Sequence, residues 1–133
     1  MSTSEIITTA LSVTALVISF IVFFRDQIAL RDQAYDRFSQ LWTEMDNTFV
    51  KYPQLHKYFY KDNNGEYTED FSSLEDEDKE RLICIAERFN DVFQYTFPME
   101  KYITRKDRKS YVAYRKMICE SPAMIAANKR LRW

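Results

Sequence analysis

Residues 6–24 (IITTALSVTALVISFIVFF) run nineteen positions without a charge. As a helix rising about 1.5 Å per residue this stretch spans roughly 28 Å, close to the roughly 30 Å of a bilayer hydrocarbon core. It is expected to cross a membrane. A cleaved secretory signal would instead need a positive leader, a shorter apolar stretch and a small-residue cleavage site. Residues 1–5 (MSTSE) carry only Glu5 as a side-chain charge, and the run ends in Phe23 and Phe24 before Arg25. A buried core helix is the competing reading, but core helices seldom stay free of charge for so long. No Lys or Arg precedes the run, whereas Arg25, Arg31 and Arg37 follow it. The bias of basic residues toward the cytoplasm then puts the N-terminus outside and everything after the run inside, at the inner face of the cell membrane.

This division leaves residues 1–5 as a short outer tail, 6–24 as the span and 25–133 as a cytoplasmic domain, 109 positions that suffice for one small core. One Gly and three Pro in the chain, with 46% hydrophobic and 29% charged residues, argue against disorder and against turn-rich β architecture. The expected fold class is therefore all-α: one transmembrane helix continuing into a small helical bundle. Cys84 and Cys119 stand among apolar neighbours and are expected as buried free thiols. Two Cys and one His without the usual paired spacing leave no zinc site, and no metal or other cofactor is expected.

No helix breaker stands between 6 and 52, so the spanning helix is expected to run on into the domain. Apolar residues recur there by sevens: Ile28, Tyr35, Trp42 and Phe49 in one series, Phe38, Met45 and Tyr52 in a second. This is one helix face, and Tyr35, Phe38, Trp42, Met45 and Phe49 form a candidate aromatic packing or interaction face. Within the span Thr8, Ser12, Ala15 and Ser19 form a second, small-residue stripe. Small residues let membrane helices approach closely, so the stripe is a candidate contact face for a second copy or another membrane protein. The alternative is that lipid merely tolerates these hydroxyls.

Pro53 should end this helix, and 54–61 (QLHKYFYK) reads as a short aromatic helix. Residues 61–72 (KDNNGEYTEDFS) are a loop. The loop suggests calcium, but Gly65 is fourth and Ser73 twelfth counting from Asp62, which misses the EF-hand pattern. Ser73 is expected to cap a helix that carries Glu75, Asp76, Glu77 and Asp78 in its first turns. That helix should bury Leu82, Ile85, Ala86, Phe89, Val92 and Phe93 and close near Thr96. A further helix over 105–119, with Tyr111, Tyr114, Met117 and Ile118 inward, and a last one started by Ser121 and Pro122 complete the set.

Charge is segregated along the chain. Residues 62–99 hold three positive and eleven negative side chains, and residues 100–133 ten positive and three negative. One explanation makes the acidic and basic helices antiparallel neighbours with complementary surfaces. Another has Lys101, Arg105, Lys106, Arg108 and Lys109 touching anionic lipid headgroups. Nucleic acid is not an expected partner, because no recognised binding motif accompanies the charge. A single Gly rules out a Gly-rich phosphate loop, and His56 and the carboxylate pair Glu87 and Asp91 have no setting that marks a catalytic site.

The order of an N-terminal span, LWTEMDNTFVKYPQLHKYFY at 41–60, LICIAERFNDVFQY at 82–95 and CESPAM at 119–124 resembles a loose group of small, uncharacterised bacterial membrane-anchored proteins. The resemblance implies a bacterial source and a helical cytoplasmic domain; it carries no activity or ligand. The expected role is that of a non-catalytic adaptor, an accessory subunit or oligomeric scaffold that holds a partner or itself at the inner membrane face. A sensor of anionic lipid headgroups is the alternative, and an enzyme whose site the sequence does not reveal is the third.

Overall fold

A computed structural model describes residues 2–130; the expected boundaries at Met1 and at 131–133 lie outside the described residues. Helices make up 82% of the structure, and there is no strand among the described residues. The first helix, α1 (Thr3–Lys51), is a single 49-residue rod. It starts three residues before the charge-free run because Ser2 and Glu5 form a capping box. The Glu5 backbone N–H donates to Ser2 Oγ at 3.3 Å and the Ser2 N–H donates to Glu5 Oε2 at 2.7 Å. This S-x-x-E signature extends the helix into what the sequence suggested was a tail.

The first part of α1 buries no residue. Every residue from Ser2 to Ala29 is exposed, and an 18-residue window here has a mean hydropathy of 2.4 with none of it buried. By length and composition this helix can cross a membrane. Beyond Leu30 the same rod becomes a core element, burying Ala34, Phe38, Leu41, Met45 and Phe49 at spacings of three and four. Pro53 stops it, and a 3-10 turn, Pro53–Tyr58, folds back so that Leu55, Tyr58 and Phe59 are completely buried.

Helix α2 (Asp76–Thr96) runs antiparallel to α1. Its first turns lie by the end of α1, where Arg81 stacks over the Tyr52 ring, and its middle is tied to α1 by an Arg88–Glu44 ion pair. Its last turn meets Arg37, whose guanidinium lies 4.4 Å from the Tyr95 ring centre. A second 3-10 turn, Phe97–Tyr102, then reverses the chain against α1. Helix α3 (Arg105–Cys119) returns along α1, with Tyr111 against Phe38 and Tyr114 against Trp42. Helix α4 (Pro122–Arg130) closes the bundle on α2, burying Ala123, Met124 and Ala127. Phe49, Phe59, Phe89 and Phe93 join at its centre through ring contacts of 5.3–6.1 Å. Each such buried ring contributes about 1.5–3 kcal/mol.

Two local expectations need correction. Ser73 does not cap α2: the Leu74 N–H donates to the Phe71 carbonyl, holding 71–74 in a turn, and the helix begins at Asp76 after Glu75. Cys84 and Cys119 are free but exposed, because each sits on the outer flank of a helix whose inner face is filled by its neighbours Ile85 and Ile118. The acidic first turn of α2 and the basic stretch around Lys101 and Arg105 are far apart. The acidic turn of α2 bonds within itself, Arg81 to Glu77 and Asp78 and Lys79 to Asp76, at the opposite end of the bundle from Lys101 and Arg105.

Candidate functional site

The aromatic series on α1 is divided between core and groove. Phe38, Met45 and Phe49 are buried against the later helices, whereas Tyr35 and Trp42 are half-buried at the edge. Trp42 and Phe49 form one wall of an open groove of about 1010 Å³. Pro53, His56 and Tyr60 form its floor, and Ser110, Tyr111 and Tyr114 of α3 form its other wall. Val50, 80% exposed, stands at its rim.

The three tyrosine hydroxyls of this groove are bonded within the fold. The Tyr60 and Tyr114 hydroxyls share a hydrogen bond, and the Tyr111 hydroxyl is bonded to Thr96. Burial pushes the pKa of all three tyrosines above the ordinary phenol value; the Tyr60–Tyr114 bond lowers the Tyr60 value and raises that of Tyr114 further. The His56 imidazole lies flat on Tyr60, with ring centres 4.2 Å apart and planes 8° from parallel. Asp46, His56 and Ser110 all line the groove, but among the described residues no hydrogen bond joins any two of them. A nucleophile relay needs those bonds.

The small-residue stripe lies on the bare part of α1. Thr8, Ser12 and Ser19 donate their hydroxyls to the carbonyls four residues back, at 2.8–2.9 Å. Those hydroxyls are therefore satisfied within the helix, and what the stripe offers a neighbour is close approach beside Ala15.

The basic segment is divided by height along α1. Lys101 and Tyr102 stand beside Phe24, Gln27, Ile28 and Arg31, where the charge-free run ends. The start of α3 attaches lower. Tyr35 donates to the Asp107 carboxylate and accepts from the Thr104 N–H at 3.1 Å, about 16 Å beyond Phe24 along the helix. Arg105, Lys106 and Lys109 are exposed at this lower level. The Tyr35 hydroxyl, and after it that of Thr104, hold the Asp107 pKa below the usual carboxylate value. Arg108 is structural: its Nε donates to the Glu100 carbonyl at 2.8 Å and its Nη2 to those of Lys101 and Ile103 at 3.2 and 3.4 Å. Glu100, largely buried, pairs with Arg115. Gln27 and Tyr102 belong to no sequence motif that marks them as neighbours. A basic–aromatic pair such as Lys101-Tyr102 is a recognised interfacial signal, but nothing in the sequence indicated that it would return to the level of Phe24.

Comparison with family models, with curated proteins and with solved structures gives no match to this chain.

Proposed function

We propose that the chain is a single-pass membrane protein that acts by binding, with the apolar part of α1 across the inner membrane, N-terminus outside, and the bundle at the cytoplasmic face. The observation that carries this reading is the two-part character of one unbroken helix: residues 2–29 bury nothing against the rest of the chain, only the end of that stretch lying beside the second 3-10 turn, while residues 34–49 are the spine of the core. A bare apolar rod in water would be a large unpaid exposure of hydrophobic surface; in lipid it is not. Rigid continuity through residue 30 couples whatever the span meets to the orientation of the bundle.

The role is that of an adaptor for another membrane protein or a second copy. The span offers the Thr8–Ser12–Ala15–Ser19 face, and the bundle offers the aromatic groove, whose Trp and Tyr rings are the side chains most used as binding anchors. Photo-crosslinkers at Ser12 and Val50, activated in native membranes, test the reading. A discrete crosslinked species at either position is expected; monomer alone at both would overturn it.

A second reading, contact with anionic headgroups, is favoured by the placement of charge. Lys101 lies at the end of the apolar run, while Asp76, Glu77 and Asp78 lie at the far end of α2, roughly 30 Å away along its axis.

A further inference from the structure

Phe24 closes the charge-free run, and Arg31 follows on the same helix face about 10 Å further along the axis. That distance exceeds the few ångströms of headgroup layer on each side of a bilayer core, so residues 24–31 would traverse it. The second 3-10 turn packs against this face and closes a cleft of about 210 Å³ lined by Phe24, Gln27, Ile28, Arg31, Lys101 and Tyr102. Phe24 and Ile28 give it an apolar edge, while the other four supply an amide, a guanidinium, an ammonium and a phenol. Among the described residues none of those four polar heads makes a hydrogen bond or ion pair. The Lys101 ammonium rests over the Tyr102 ring at 4.9 Å. No carboxylate lines the cleft. The nearest acidic residues on α1, Asp26 and Asp32, are turned about 140° and 100° away from Arg31 around the helix. Two cations without counter-charge and two neutral donors complement a phosphate monoanion, and the apolar edge complements the start of an acyl chain.

We propose that this cleft holds the phosphate of one anionic phospholipid of the inner leaflet, clamped between α1 and the 3-10 turn. The proposal rests on the reading of α1 as a membrane span. The bound lipid fixes how the bundle is seated on the bilayer.

The test uses the full chain in nanodiscs of mixed phosphatidylcholine and phosphatidylglycerol, with native mass spectrometry of the released protein. Each basic residue at an anionic surface is worth about a fivefold preference, so R31Q/K101Q should lower phosphatidylglycerol retention roughly thirtyfold. K116Q/K129Q, the same loss of charge away from the cleft, should leave it unchanged. Equal melting temperatures of the two double variants exclude misfolding as the cause. Retention of both lipids in proportion to their supply, or retention that R31Q/K101Q does not reduce, would overturn the proposal. Inorganic phosphate added in a neutral detergent micelle is the second arm. A phosphate adduct lost in R31Q/K101Q, without phosphatidylglycerol preference in nanodiscs, would assign the cleft to a free anion and overturn the lipid. Release of the chain from membranes by alkaline carbonate would instead remove the underlying span, a failure distinct from that of the cleft.

Discussion

A single tyrosine joins α1 to the start of α3. The Tyr35 hydroxyl donates to Asp107 and accepts from the Thr104 N–H, while Thr104 Oγ1 accepts from the Asp107 N–H at 3.2 Å as the helix cap. The Asp107 pKa is lowered in the fold, so its stabilising contribution is present above about pH 4 and is lost as pH falls through the folded value. Tyr35→Phe removes the largest cause of that shift. The Asp107 carboxyl should then titrate closer to an ordinary aspartate, which a side-chain NMR titration reads directly; an unchanged midpoint would mean that Thr104 alone sets it. Tyr35 was identifiable from its heptad position as a packing residue, but its hydroxyl's partners, sixty-nine and seventy-two positions away, were not. Sequence periodicity reports which face a residue occupies and carries nothing about what arrives opposite it.

Among the elements, α2 follows its amphipathic pattern closely, because Leu82, Ile85, Ala86, Phe89, Val92 and Phe93 are spaced to fill one face and all are buried. Phe89 is completely buried between Phe49, Phe59 and Phe93. Phe89→Ala should destabilise the bundle by about 3–5 kcal/mol in urea unfolding, since it removes a ring that three others surround. The bare part of α1 makes the opposite prediction. Deleting residues 2–24 costs no buried contact, so the remaining bundle should melt within about 3 °C of the full chain while losing its attachment to membranes. A large drop would show that the apolar rod supports the core. Cap positions were less legible than faces. Thr104 and Ser121 accept from the N–H three residues on, at 3.2 and 3.4 Å, whereas Ser73 is displaced from that role by the turn at 71–74. A cap depends on where the preceding loop lets the backbone enter, and the loop is held from outside, by Tyr58 stacked on Phe71 at 5.1 Å.

Across the molecule, charge is arranged along the axis of α1. The acidic turn of α2 lies by Tyr52 and the basic 3-10 turn by Phe24, the arrangement that favours contact between the basic end and an anionic surface. The proposed topology is testable on the native chain, because Cys84 and Cys119 are both free and exposed. A membrane-impermeant maleimide should label them only after the cells are permeabilised, and Cys119 more slowly than an ordinary thiol, since partial desolvation of its sulfur raises its pKa. Labelling in intact cells would reverse the orientation.

The charge-free run, the helical class and the inward faces of α2 and α3 follow from local spacing, which fixes how a helix presents its side chains whatever it later meets. The groove between Trp42 and Tyr114, the exposure of both thiols and the cleft between Arg31 and Lys101 depend on contacts between residues distant in the chain. Those contacts are set by the direction in which α2 returns along α1. No periodicity records that direction, because it is chosen by the fit of whole faces against one another.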